Sequence, residues 1–199
     1  MGRGPLAGPI TLAAFAAPEN LRQRLIKILG GKIKDSKQFS PVKIIVIYRK
    51  LLKLKKSSKV FFTVSHVSNK IIDKNGISYA TNLAIKRVLG NTKCPASNVY
   101  TSGKNCVIRL DGLLKAPEEF KNQKTIIGGD SKNIFIACAS IVAKVRRDRL
   151  MCRFAKKYPE YDFEIHKGYG TEIHYEKLKK IGLCEIHRKS FCKKLTKNN

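Results

Sequence analysis

The sequence predicts an α/β fold. Two observations carry it. Short β-branched or apolar runs alternate with longer stretches of helical periodicity, which is the pattern of a sheet flanked by helices. The tail beyond about residue 160 reads as helix and loop only, so a helical piece closes the sheet domain. At 199 residues the chain is long enough to bury a proper core, and its hydrophobic content of 43% excludes a disordered chain.

The elements follow in order. Residues 9–16 (PITLAAFA) read as a buried strand. Residues 19–38 are mixed, with a turn-like Gly-Gly in the middle and the compact trio Asp35-Ser36-Lys37 near the end. Residues 41–56 are apolar and lysine-rich at helical spacing, through Val42, Ile45, Val46, Tyr48, Leu51 and Leu52. KVFFTVSH at 59–66 has the β-branched and aromatic character of a strand, DKNG at 73–76 is a turn, and 77–89 is an amphipathic helix. Two short apolar strands come next, each leading to an aspartate: CVIRL to Asp111, and KTIIGG to Asp130. The apolar segment from Ser131 to Val145 then turns sharply basic at RRDRL, which predicts a helix buried at its start and exposed at its end. HKGYGT at 166–171, an amphipathic helix near 171–181 and IHRKSF at 186–191 complete the chain.

Charge narrows the function. Lys and Arg total 41 against 14 Asp and Glu, a net of +27. That balance favours a polyanionic partner, most simply nucleic acid, although a lysine-rich genome composition produces the same bias. No apolar run reaches the ~20 residues that span a bilayer, and no signal peptide is evident, so a cytoplasmic protein without membrane contact is expected. The six cysteines contain no Cys-x-x-Cys pair. Reduced thiols are expected, with Cys106 and Cys138 as small core residues.

Acidic residues are scarce, so their positions are informative. Asp111 and Asp130 each follow an apolar strand and a change of direction. Carboxylates at strand ends can converge on one cleft and hold Mg²⁺ or Mn²⁺, because hard cations take oxygen ligands. Asp130 reads equally as the N-cap of a helix starting at Ser131, and Asp111-Gly112 as an ordinary turn. Asp148, among arginines, reads first as a local ion-pair partner. The Gly2-Arg3-Gly4 loop offers unshielded backbone N–H groups beside a guanidinium, which suits a sugar-phosphate backbone. Tyr169, between two glycines, suits stacking on a base or sugar, or packing within its own loop.

Several segments together resemble the type 2 ribonucleases H, in particular bacterial ribonuclease HII. They are GRGPLAGP (2–9), KDSKQFS (34–40), RLDG (109–112), GGDSKNIFIACASIVAKVRRDRLM (128–151), HKGYGT (166–171) and IHRKSF (186–191). The resemblance implies a ribonuclease H-like mixed sheet flanked by helices over residues 1–160, with a helical extension over 161–199 packed on it. It implies a metal-dependent endonuclease that cleaves the RNA strand of RNA–DNA hybrids and incises 5′ of single ribonucleotides in duplex DNA. The expected cofactor is Mg²⁺ or Mn²⁺ in a two-metal site, and the expected form is a monomer. Asp111 and Asp130 match two of the family's four catalytic, metal-holding carboxylates. Gly2, Arg3 and Gly4 match the loop that reads the RNA–DNA junction. Tyr169 matches the tyrosine that packs on the neighbouring deoxyribose, and Lys37 a position expected to touch phosphate. The family loop reads DEAGRGPLAGP, and here Met1 stands at the alanine. The resemblance therefore implies that the strand bearing the other two carboxylates is missing, leaving neighbouring strand edges unpaired. The rival expectation is an inactive fragment that acts at most as a basic nucleic-acid-binding protein.

Overall fold

Strand β1 (Ile10–Ala16) pairs antiparallel with β2 (Phe61–Val67), Ile10 lying opposite Val67 and Ala16 opposite Phe61. The architecture comes from a computed structural model that describes residues 2–92 and 106–193, with Lys37 described by its backbone alone. Strands β3 (Ile108–Asp111) and β4 (Gln123–Ile126) pair in parallel. Antiparallel and parallel pairings are thus both present, as the expected mixed sheet requires. Among the described residues, however, they form two separate ladders of two strands each.

Side chains of β1 alternate between two cores. Ala13 and Phe15 pack into a cluster built from α1 (Arg22–Leu29), α2 (Pro41–Lys56) and α5 (Ile134–Lys157). Leu12 and Ala14 pack toward Ile85, Val88 and Leu89 of α3 (Asn69–Gly90) and Leu110 of β3. The strand therefore has helices on both faces, which favours an apolar strand over a strictly alternating one.

Helix α2 begins where Ser40 caps it, accepting from Lys43 N–H at 3.3 Å with Pro41 in the first turn. Its span matches expectation, but its buried face is Ile44, Ile47, Tyr48, Leu51 and Leu54, whereas Val42 and Val46 are exposed. The run Ile44 to Tyr48 is apolar throughout, so periodicity alone does not select the face. Helix α3 absorbs the expected turn at 73–76 as a kink: Gly76 has φ 83 and ψ 163 inside it.

Helix α5 starts at Ile134 and takes Asn133 as its cap, whose side-chain oxygen accepts from the Phe135 and Ile136 amides at 3.0 and 3.3 Å. Asp130 is not that cap. It lies in the separate short helix α4 (Gly129–Lys132). The far half of α5 also departs from expectation: Arg147 and Met151 are fully buried. A second core covers them, formed by Leu6 and Ala7 from the first loop with Tyr161, Phe163, Leu178 and Ile186 from the C-terminal segment. That segment carries α6 (Phe163–His166) and α7 (Glu172–Ile181).

Cys138, Cys152, Cys184 and Cys192 are free thiols, and burial raises the Cys138 thiol far above its ordinary range. Cys106 departs from expectation. It stands half-buried at the mouth of a cleft rather than in the core, and it is disulfide-bonded. No described helix is long and apolar enough to cross a membrane.

Candidate active site

Asp111 ends β3, and its parallel neighbour β4 ends directly opposite, at Ile126. Beyond Ile126 the chain turns through Gly128, which adopts a left-handed conformation (φ 65, ψ 35), and enters α4. The Asp111 carboxylate accepts from Gly129 N–H at 2.8 Å. Asp111 is thereby bound to the residue that precedes Asp130. Asp111 thus stands at the C-terminal end of β3, where open α/β sheets bind ligands, and Asp130 follows in α4, beyond the end of β4. A Cβ at 129 would meet Ile136 Cδ1 at 2.6 Å and Asp111 Oδ1 at 3.3 Å, so a larger residue there requires the Ile136 side chain to shift.

Asp111 and Asp130 carry the oxygen-donor chemistry that a hard divalent cation takes. No group of three or more His, Cys, Asp or Glu suited to a metal occurs among the described residues. The expected two-metal site needs donors beyond Asp111 and Asp130.

The other expected site residues begin in the loop at 2–9. Two buried arginines hold it. Arg188 donates to the carbonyls of Gly2 (2.7 Å), Arg3 (2.9 Å) and Gly8 (2.9 Å). Arg147 donates to Ala7 (3.2 Å), Pro9 (3.3 Å) and Lys167 (2.9 Å). No carboxylate balances either charge in these bonds; carbonyl dipoles do. Burial lowers Arg188 to about 10, and the neighbouring Arg147 cation adds to the drop, yet it stays charged at neutral pH.

This clamp has a consequence for the loop's other side. Every described peptide bond is trans, so each N–H points opposite to the carbonyl of the same peptide unit. With the Gly2 and Arg3 carbonyls turned in to Arg188, the Arg3 and Gly4 amides turn out. Arg3 and Gly4 are exposed. Two adjacent outward N–H groups are the backbone chemistry that can accept an anion.

Tyr169 lies beside the same assembly, 39% exposed, with the Arg147 guanidinium 5.4 Å from its ring centroid. Gly168, before it, accepts from the Leu6 and Ala7 amides at 2.8 and 3.2 Å. Its φ is +81, and a Cβ there would sit 2.6 Å from the Ala7 carbonyl. Gly168→Ala is expected to cost about 1–3 kcal/mol, from the strained φ and the loss of loop contact. A thermal melt that leaves the midpoint unchanged overturns this account of the contact.

Three histidines support Tyr169 from behind. Cys184 N–H donates to His187 Nδ1 at 2.9 Å, so His187 carries its proton on Nε2. That proton goes to His174 Nε2 at 3.0 Å, and His174 Nδ1–H goes to the Tyr169 carbonyl at 2.8 Å. His166 accepts from Gly168 N–H at 3.1 Å and stacks on His174 at 4.1 Å. Each ring is held as one neutral tautomer. Desolvation lowers both His174 and His187 to about 4. These histidines bind protons more readily in the unfolded chain, so their stabilisation is complete above pH 6.5 and is lost as the pH falls from 6.5 toward 4. The urea midpoint is expected to drop across that window in the native chain, and less so in a His174→Gln, His187→Gln double variant.

Other expected residues find partners of lesser consequence. Asp148 pairs with Lys144 at 3.0 Å, as its spacing implied. Ser140 meets Ser36 at 3.0 Å. Lys37 lies in the short turn Ser36–Gln38, and its side chain falls outside the described residues. Arg147 and Arg188 are the functional residues that sequence reasoning did not single out. Both lie within the recognised segments, but nothing in residue type separates a buried arginine from its exposed neighbours.

Comparison with known proteins adds to this geometry. A family model described as Ribonuclease HII matches residues 1–194. Ribonuclease HII of Caldicellulosiruptor bescii is 41% identical over 194 residues, covering 98% of this chain and 84% of that protein. Ribonuclease HII of Endomicrobium trichonymphae is 42% identical over 190 residues, covering 96% and 81%. Among solved structures, the ribonuclease H2 of Pyrococcus horikoshii superposes with a TM-score of 0.73 at 23% identity, over 100% of this chain and 94% of that one. A ribonuclease HIII in complex with Mn²⁺ gives 0.69 at 20% identity, over 91% and 59%. At these identities the structural matches speak for the fold alone.

Proposed function

The chain belongs to the ribonuclease HII family, and from that premise we propose that it hydrolyses the RNA strand of RNA–DNA hybrids and incises 5′ of single ribonucleotides in duplex DNA. The observation that supports the reading is Asp111 at the end of β3, which accepts from the Gly129 amide, the residue before Asp130 in α4. Asp111 and Asp130 would hold the divalent cation, Mg²⁺ or Mn²⁺. Such an ion, when bound, activates a water and stabilises the leaving oxygen. A structural neighbour's complex with Mn²⁺ supports that choice of metal.

The chain's own residues supply recognition. Arg188 and Arg147 fix the first loop so that the Arg3 and Gly4 amides meet phosphate or the 2′-hydroxyl, the group that distinguishes RNA from DNA. Arg3 adds a charge to that contact. Tyr169, braced by Arg147 and the histidine chain, presents its ring to the adjacent sugar. Lys37 would contact phosphate. We place residues 161–199 as an extension packed on the catalytic domain, and the protein as a cytoplasmic monomer.

The deciding assay uses duplex DNA with one embedded ribonucleotide, with Mn²⁺ or Mg²⁺. Cleavage 5′ of the ribonucleotide is expected, and a folded chain that binds the duplex without cutting it overturns the nuclease reading. One observation favours that second reading, a basic binding protein: the described residues hold two carboxylates at the site and no third ligand. Under either reading the charge of +27 is expected to make log Kd rise steeply with log salt, by roughly 0.9 per phosphate neutralised. A flat salt dependence measured by fluorescence anisotropy would show that the charge is not used in binding.

A further inference from the structure

Helix α2 carries six cations, Lys43, Arg49, Lys50, Lys53, Lys55 and Lys56, and no carboxylate. Its apolar face is buried against α1 and α5. Arg49, Lys50, Lys53 and Lys56 are exposed, and Arg49, Lys53 and Lys56 fall at i, i+4 and i+7, one stripe of a helix. Like charges at that spacing repel one another. The helix dipole favours Lys53 and Lys56 in the last turn but has no hold on Arg49 and Lys50, which lie before it. None of the six is in an ion pair with a carboxylate among the described residues. The helix therefore keeps a row of like charges that nothing described in the chain neutralises.

Helix α5 adds to the row. Arg146, Arg149 and Arg153 are exposed on it, and Asp148, between them, is taken by Lys144 at 3.0 Å. The Arg149 guanidinium lies 5.1 Å from the Tyr48 ring centroid, on the flank of α2. Burial and then the Arg146 charge lower the Lys55 ammonium, so the two helices share one cationic face. The turn that leads into α2 adjoins the candidate site: Ser36 meets Ser140 at 3.0 Å, and Ser140 and Asp111 line one cleft. From that turn the 16 residues of α2 run about 24 Å, the length of about seven base pairs of duplex.

We propose that the face shared by α2 and α5 is a second nucleic-acid contact, which grips the backbone phosphates of duplex flanking the candidate active site. Arginine takes phosphate oxygens in pairs, and lysine takes them as a point charge. No exposed aromatic ring lies on α2 or α5 to stack an unpaired base, so the face suits a duplex backbone gripped without regard to sequence. A lipid surface suits it less, because an interfacial helix inserts its apolar face, and that of α2 is already in the core. The proposal rests on the nucleic-acid part of the reading above and not on cleavage.

The probe is a fluorescein-labelled, all-DNA duplex of about 20 base pairs, long enough to pass the site and run along α2. It is titrated with the intact chain over a salt series, without metal, and read by anisotropy. One variant combines Arg49→Gln, Lys50→Gln and Lys53→Gln. A second combines Lys74→Gln, Lys86→Gln and Arg87→Gln, which removes the same charge from exposed positions of α3, on the other face of β1. The α2 variant is expected to bind at least tenfold more weakly and to flatten the slope of log Kd against log salt by about 2 to 3. The α3 variant is expected to stay within about threefold of the native chain, since it loses only long-range attraction. A charge-keeping variant, Arg49→Lys with Lys50→Arg and Lys53→Arg, is expected to bind like the native chain. Equal losses in the α2 and α3 variants mean diffuse attraction and overturn this proposal alone. So does weak binding by the charge-keeping variant, which assigns the effect to the fold. A native chain that binds no duplex overturns the nucleic-acid reading with it. If the α2 variant loses only its binding to phosphatidylserine vesicles and keeps the duplex, the face belongs to a lipid surface and the proposal falls.

Discussion

Replacing Asp111 by asparagine is expected to lower cleavage of a ribonucleotide-containing duplex by roughly 10³-fold, the several kcal/mol that a bound cation contributes to such a step. Duplex binding and the melting midpoint are expected to stay close to wild type. The asparagine side-chain oxygen still accepts from Gly129 N–H, so the junction between β3 and α4 survives. What is lost is the negative charge that a divalent ion needs. Mn²⁺ binding by calorimetry should therefore weaken in the same variant, a readout that requires no turnover. Cleavage at the wild-type rate would remove Asp111 from the site. Asp111→Ala, by contrast, leaves the Gly129 amide without its acceptor, and it should lower stability as well as metal affinity.

Arg188→Ala is expected to have the largest effect on stability of any single change. It removes three charge-assisted bonds to the carbonyls of Gly2, Arg3 and Gly8 and leaves those acceptors buried and unpaired. The cost is about 3–5 kcal/mol, or roughly 10 °C in melting midpoint. Arg188→Lys keeps the charge but cannot reach three carbonyls with one ammonium, so an intermediate loss is expected. Discrimination between ribonucleotide-containing and all-DNA duplex should fall in the lysine variant, because the outward Arg3 and Gly4 amides are held by the inward carbonyls. Unchanged discrimination alongside lowered stability would show that the clamp only supports the fold.

The order and type of the elements were largely legible in the sequence, and the reasons are local. The apolar spacing over 41–56 announces α2, the β-branched and aromatic character of KVFFTVSH announces β2, and the short apolar runs before Asp111 and Asp130 announce β3 and β4. What stayed illegible depends on partners distant in sequence. Arg147 sits in a run that reads as a solvated face, yet it is buried because the first loop and residue 167 fold over it. Asp130 reads as a possible cap, and only the start of α5 at Ile134 gives that role to Asn133 instead. The histidine chain joins residues that are unremarkable singly: each of His166, His174 and His187 lies in an ordinary loop or helix, and only packing makes them one unit. The two carboxylates were found because acidic residues are rare in so basic a chain.

The bonds from Arg188 to Gly2 and Gly8 join residues 186 and 180 positions apart. On the ribosome this sets an order of events. The loop at 2–9 has no place to settle until residue 188 has left the exit tunnel, because the partners of its carbonyls, its Leu6 core contact and its Gly168 partner all belong to later sequence. Closing so long a loop is entropically slow, and it comes late. The loop is therefore synthesised undocked, and it takes its folded form only after the segment around residue 188 has emerged and closed on it.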